Sequence, residues 1–349
     1  MNSKTIHRCI RGILRILFTL GVALFIGSLA IWFSGKNAFM AYKILFSASF
    51  NGPLAIADVF CTATPLIFTG LATGVAFRLG IFNIGVEGSL YLGAFAAAWI
   101  GFTFKSLPGF MLVVFSLSFG ALVGGLWALI PGYLKAMLNV NEIVSTIMLN
   151  YVAIYFTSYL VNYPFAVPGL ANAMSPLIAP QAKLMRLFPP SQLNFSFILA
   201  SLSVVVIAFV LRYTTLGYEL RLHGDNPIFA RWSGIPTKSL ILKVMFISGA
   251  FGGLAGAGQV LGMNYRFVAN FSPGYGFDGI AVALLGNNSP FGILLGALFF
   301  GVLRSGGPVL ELSMGIPLEL IHILEASIII FVTAQFTFIW YRSRNPKEI

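Results

Sequence analysis

The chain is 349 residues long, 58% hydrophobic and only 9% charged, with a formal net charge of +11. So few charges cannot cover the surface of a water-soluble domain of this size, which excludes a soluble globular protein. The basic residues gather at the ends of apolar segments, as in a membrane protein with positive inner loops, and not on a face that binds nucleic acid.

Taken in chain order, the sequence reads as an all-α polytopic membrane protein with about ten transmembrane helices, since each crossing needs roughly 20 apolar residues. Lys4, Arg8, Arg11 and Arg15 lead into the first apolar run, and no small-x-small cleavage pattern closes it. Residues 1–12 are therefore expected to form a cytoplasmic basic tail, with 13–33 an uncleaved first span. A transmembrane domain over 13–340 follows, with clear spans near 57–77, 109–130, 142–161, 194–211, 241–262 and 318–340. Three further segments, 82–101, 277–288 and 291–309, are short or broken by Gly and Pro. Residues 341–349 form a second tail.

The 82–101 segment opens on Asn83 and Glu87 among glycines. A carboxylate at membrane depth needs compensation, and two readings fit: a transport path, or a packed polar contact between helices. Asn139, Asn141, Glu142, Ser145, Thr146 and Asn150 make a second polar group. Asn141 is placed to cap the helix and Glu142 to favour its positive end, while Ser145, Thr146 and Asn150 share one broad side that lipid does not suit. Helix–helix hydrogen bonds and a wet path both remain open for that side.

Six prolines between 162 and 193 predict an ordered extracytoplasmic loop without regular helix. The next polar stretch, 213–240, carries Thr215, Gly217, Arg221, Gly224, Asp225, Asn226, Pro227, Arg231, Trp232 and Gly234. Thr215, Gly217 and Gly224 to Pro227 read as turn and cap chemistry, with a short helix over 228–233 that Gly234 ends. Such a helix, flanked by Arg221 and Arg231, fits either a docking knob for another protein or an interfacial helix lying on the membrane.

Further on, the glycines of 248–258 and Asp278 just inside a short apolar segment echo the 70–93 stretch. This is either the trace of an internal repeat or a chance likeness of two glycine-rich regions. Asp278 also suits the cap of the helix that opens there. Glu325 lies deep in the last span, with His322 as a candidate partner. Two widely spaced cysteines make no disulfide framework, and no metal-ligand cluster, Ser/His/Asp set or Gly-x-x-x-x-Gly-Lys phosphate loop occurs. The expectation is a non-catalytic chain without a metal or cofactor of its own.

Four ordered motifs carry a family resemblance. They are Phe77-Arg-Leu-Gly-Ile-Phe-Asn-Ile-Gly-Val-Glu-Gly88, Asn141-Glu-Ile-Val-Ser-Thr-Ile-Met-Leu-Asn-Tyr151, Thr215-Leu-Gly-Tyr-Glu-Leu-Arg221 with Gly224-Asp-Asn-Pro227, and Gly276-Phe-Asp-Gly-Ile-Ala-Val-Ala-Leu-Leu-Gly286. Over roughly residues 36–340 the chain resembles the permeases of bacterial ABC importers, in the nucleoside and simple-sugar uptake branch related to ribose and branched-chain amino acid permeases. The resemblance implies a translocation subunit in the cytoplasmic membrane, with both termini cytoplasmic. It implies a separate ATPase that binds ATP and Mg and docks on 213–240, a second homologous permease, and a periplasmic or lipid-anchored binding protein. Nucleosides are the implied cargo, with riboflavin or a simple sugar as alternatives. Ser89, where the family commonly has Gln, and Leu222-His223-Gly-Asp225, where Ala-Val-Gly-Glu is common, depart from its pattern. Asn83, Glu87, Asn141, Glu142, Asn150 and Asp278 are the polar residues of the matched motifs, and the resemblance leaves open whether they line the path and hydrogen-bond cargo or hold the helices together. An ion-coupled transporter using Glu87, Glu142 or Glu325 is the competing class.

Overall fold

A computed structural model of the chain describes residues 21–317 except 23, 170 and 171, together with 323, 325–327, 330 and 331. The expected tails, 1–12 and 341–349, and most of the 318–340 span lie outside the described residues. Among those described, the regular structure is helical, with two isolated β-bridges. The helices are α1 (Leu24–Phe33), α2 (Ala38–Phe50), α3 (Pro53–Arg78), α4 (Val86–Thr103), α5 (Gly109–Leu138), α6 (Glu142–Asn162), α7 (Ser196–Tyr213), α8 (Thr215–Asp225), α9 (Pro227–Trp232), α10 (Thr237–Gln259), α11 (Tyr275–Leu285) and α12 (Pro290–Met314).

Six of these are long and apolar enough to cross a bilayer, counting α10 with its continuation to Asn264, and α1 with α2, bent by 118°, makes a seventh if taken as one span. Among the described residues that is fewer than the expected ten, of which most of 318–340 and part of 13–33 lie outside them. The 277–288 segment is α11, whose 11 residues rise only about 17 Å. Helix α4, 18 residues like α7, falls short in apolar character because of Glu87, Gly88 and Ser89 at its start. Conversely, 291–309 is no broken segment but part of the 25-residue α12. Hydropathy registers apolar stretches; it does not say which of them crosses unaided.

The chain divides into two compact units, Phe60–Ala297 and the combination of Met1–Val59 with Leu298–Ile349. In the second, Ser49 Oγ of α2 donates to the Val302 carbonyl at 2.8 Å. Glu325, which is buried, takes Arg304 of α12 as its partner, with Nε to Oε1 at 2.9 Å and Nη2 to Oε2 at 3.3 Å. The sequence had offered His322, which lies outside the described residues.

The Phe60–Ala297 unit is built around α4, buried without a break from Val86 to Ala98. A helix can be buried on all sides only if its neighbours come close, and glycine permits this. A Cβ on Gly253 of α10 would strike the Gly120 carbonyl of α5, and one on Gly256 the Leu90 carbonyl of α4. The two glycine-rich stretches that look alike in sequence are therefore packed on each other.

After α10 a π-helical turn, Val260–Asn264, ends the regular helix, and 265–274 continue as irregular backbone. This segment runs antiparallel to α4: Phe267 meets Phe95 with ring centroids 5.6 Å apart, and Phe271 meets Tyr91 at 5.1 Å. Then α11 carries the chain on past Thr69 and Gly70 of α3. Irregular backbone is tolerated at membrane depth where protein surrounds it, and Phe267 here is fully buried. Between α6 and α7, as far as it is described, the chain is a loop with a single 3-10 turn, Pro180–Ala182. It is pinned to the segment after α10 by Leu184 N to Leu261 O, Ile178 N to Tyr265 O and Ser175 N to Phe267 O, at 2.9, 3.0 and 2.9 Å.

Candidate functional site

Two groups of residues stand out in the Phe60–Ala297 unit. The first surrounds the start of α4. Its N-cap, Gly85, has no side chain to offer the free N–H groups of the first turn. The caps come from elsewhere. Asn150 of α6 accepts from Gly88 N at 2.8 Å and donates to the Ile84 carbonyl at 2.8 Å. Asn83 Oδ1 accepts from Gly85 N at 2.9 Å, and its Nδ2 donates to Ser248 Oγ of α10 at 2.8 Å. Ser248 passes the chain on to the Ala72 carbonyl at 2.7 Å.

Glu87, 2% exposed, lies in the first turn of α4, and its Oε2 accepts from Gly276 N in the first turn of α11 at 2.5 Å. The carboxylate thus lies at the positive ends of two helices, which offsets the cost of burying it. Gly276 can have no side chain there, since a Cβ would run into the Glu87 backbone. Asp278, two residues on and nearly buried, also sits in the first turn of α11.

Asn83, Glu87 and Asn150 are therefore brought together at one junction, with Asp278 one half-turn from it. Asn141 and Glu142 are not. Asn141 caps α6, accepting from Ile143 N at 2.9 Å, and Glu142 pairs with Lys135 at the end of α5 at 2.9 Å. Ser248 and Gly276 were missed as partners because they lie far along the chain from Asn83 and Glu87.

The second group is the α8–α9 projection. The cap of α8 is Thr214, which accepts from Gly217 N at 3.4 Å; Thr215, expected in that role, is the first helical residue. Thr215, Gly217, Gly224 and Asp225, expected as turn and cap residues, all lie within the continuous helix α8, and Gly224 is there for another reason. Its reason is contact: a Cβ on Gly224 would strike the Arg78 carbonyl at the end of α3. Beside it, buried His223 places Nδ1 3.1 Å from the Leu79 carbonyl. Gly217 lets α8 fold back against the Leu211 carbonyl of α7, which also accepts from Arg221 Nη1 at 2.8 Å. Asp225 ends α8.

Asn226 caps α9, accepting from Phe229 N at 3.0 Å, with Pro227 in the first helical position. Gly234 ends it at φ +82°, so this helix falls within a residue of the sequence reading at either end. Its outer face presents Ile228, Phe229 and Trp232, the last 86% exposed. Next to it, Arg231, Lys135 and Lys238 line a groove of about 910 Å³ with Asn139 and Pro236. An exposed aromatic knob beside a basic groove suits a protein partner better than water.

The two groups are connected. Arg78, against which Gly224 packs, donates from Nε to the Asn288 carbonyl at 2.8 Å, in the turn that closes α11. The loop from Arg78 then leads within a few residues to Asn83 and the start of α4.

Comparison with known proteins agrees with this architecture. The family described as "Branched-chain amino acid transport system / permease component" matches residues 55–333. The guanosine ABC transporter permease protein NupP of Bacillus subtilis (strain 168) is 37% identical over 327 residues, 92% of this chain and 93% of that one. The nucleoside ABC transporter permease protein NupB of Lactococcus lactis subsp. cremoris is 33% identical over 345 residues, 96% of this chain and 93% of its own. The glucose ABC transporter permease protein TsgB13 of Haloferax volcanii is 34% identical over 333 residues, 92% and 87% of the two chains.

Proposed function

Because the chain belongs to the permease-component family of branched-chain amino acid transport systems and is a permease subunit of an ABC importer, we propose that its cargo is a nucleoside. The observation that carries this is near full-length similarity to two permeases named for guanosine and for nucleosides. A glucose permease of comparable similarity makes a simple sugar the competing cargo.

In this reading the chain sits in the cytoplasmic membrane and pairs with a second, homologous permease, with the path between them. A separate ATPase binds ATP and Mg and docks on α8 and α9, receiving Trp232 and the basic groove. The contacts of His223 and Gly224 with the end of α3 carry its motion inward. The 163–195 loop meets a substrate-loaded binding protein. Asn83, Glu87 and Asn150 hold the junction of α4, α6 and α11, whose rearrangement opens or closes the path, rather than clasping cargo tightly. Weak contact with cargo helps release.

The test is purification of the tagged chain from native membranes, followed by reconstitution. Recovery with an ATPase and a second permease, and ATP-dependent guanosine uptake that unlabelled nucleosides compete and glucose does not, is the expected result. Guanosine-free uptake of glucose by the same complex would reassign the cargo. Transport by the lone chain on an ion gradient would overturn the importer reading.

A further inference from the structure

The exposed faces of the long helices in the Phe60–Ala297 unit differ in chemistry. Along α5 they include Val114, Leu122, Leu126 and Ile130, with Ser118 the one exposed hydroxyl between them, and along α7 Leu202 and Val205. Apart from Ser118, whose short side chain reaches little beyond the backbone, these are hydrocarbon, as lipid requires. The exposed tyrosines of those two helices, Tyr133 and Tyr213, stand near helix ends, where an aromatic belt is expected.

On α6 the exposed face carries a tyrosine on every turn: Tyr151, Tyr155, Tyr159 and, just past the helix, Tyr163. A spacing of four places them on one strip, and the rings meet in two pairs. Tyr151 and Tyr155 are stacked with centroids 6.5 Å apart at 26°, and Tyr159 and Tyr163 lie 5.1 Å apart at 34°. The opposite face of the same helix, with Thr146, Asn150, Ala153 and Thr157, is buried.

The last two tyrosines fit a membrane interface. The first two do not. They lie about 14 and 20 Å along the helix from its start, in the middle of a span, and are 53% and 71% exposed. Among the described residues no hydrogen-bond partner meets their hydroxyls. A phenol oxygen facing hydrocarbon loses its hydrogen bonds, so this face calls for water or a polar solute.

We propose that the Tyr151–Tyr155 strip is the wall of the translocation path and that it takes a flat heterocycle bearing hydroxyls, a nucleoside. The inference rests on the nucleoside-importer reading and adds to it the surface that cargo touches. Aromatic faces stack any base without reading its edge, and phenol hydroxyls serve both as donors and acceptors to a ribose. Rings repeated every turn give successive similar, weak positions, so that a solute can enter and also leave. The strip carries no charge, which matches a neutral cargo. A second permease subunit closes the other side.

The experiment uses the complete importer complex in vesicles, with Cys9→Ser and Cys61→Ser and single cysteines Tyr151→Cys, Tyr155→Cys or, as a lipid-facing control, Leu126→Cys. A charged, membrane-impermeant thiol reagent should label positions 151 and 155 about tenfold faster than 126, and excess guanosine should slow labelling at 155. Labelling at 155 no faster than at 126 overturns the wet path, and labelling that guanosine leaves unchanged overturns the cargo contact. Separately, Tyr155→Phe should keep guanosine uptake within about threefold, while Tyr155→Leu lowers it about tenfold at equal complex abundance, the scale of one lost stacking contact. Equal effects of the two substitutions would also overturn it. The parent complex is assayed first: if it moves no nucleoside, the functional reading fails, whereas transport by the parent with an unlabelled strip sinks the path assignment alone.

Discussion

At the residue scale, the hydrogen bonds of Glu87 and Asn150 give them different weights. Among the described residues Asn150 is the partner of two backbone groups, Gly88 N–H and the Ile84 carbonyl. Asn150→Ala strands both in a buried site, at about 1–3 kcal/mol each. The thermal midpoint of the purified complex should fall clearly, while Met148→Ala, on the exposed face of the same helix, leaves it nearly unchanged. Glu87→Gln keeps an oxygen for Gly276 N–H and loses mainly charge at the two helix starts, about 1 kcal/mol. Its guanosine uptake should stay within about threefold of the parent; a larger loss at undiminished complex abundance would make Glu87 a path residue. The sequence made both residues conspicuous, since polar groups in apolar runs are anomalies. It did not reveal their partners. Gly276 lies 189 positions from Glu87, and no local pattern connects them.

At the scale of elements, α8 shows how one residue type supports two opposite readings. Thr215, Gly217 and Gly224 read as turn and cap residues in the sequence, yet all three lie in one helix. The structure uses Gly224 for backbone contact with Arg78. By contrast α9 was read almost to the residue, because Asn226, Pro227 and Gly234 are local punctuation and need no tertiary partner. The two helices also divide the work expected of the projection: α9 presents the exposed aromatic face, and α8 bears on the end of α3. Gly224→Ala should therefore push α8 away from Arg78 while sparing the docking face. The ATPase stays bound and hydrolyses ATP, but uptake per ATP falls severalfold. Trp232→Asp acts at the other step and should lower ATPase retention on the solubilised complex. If Gly224→Ala loses the ATPase as readily as Trp232→Asp, α8 is part of the docking face and the division fails.

For the whole molecule, helical class and membrane character followed from composition, and five of the clear spans coincide with long helices. The buried α4 and the irregular 265–274 segment were less legible, since burial on all sides depends on glycine contacts between α4, α5 and α10 that hydropathy cannot see. In the Phe60–Ala297 unit, Arg78, Lys135, Arg212, Arg221, Arg231, Lys238 and Lys243 lie toward the α8–α9 end. The end with the 163–195 loop has Lys105, Lys183, Arg186 and Arg266. Two of these four are folded over one ring, with Lys183 Nζ 4.5 Å from the Tyr265 centroid and Arg186 Nε 3.2 Å from its hydroxyl. Basic residues flanking spans are retained inside the cell, and the larger set is at the α8–α9 end, so that end should face the cytoplasm, where ATP is. In the cysteine-free parent, Met185→Cys, on the exposed side of the loop, should react with an impermeant thiol reagent in right-side-out vesicles. Trp232→Cys should react only in inverted ones. The reverse pattern would place the docking helices away from ATP and remove the basis for coupling through them.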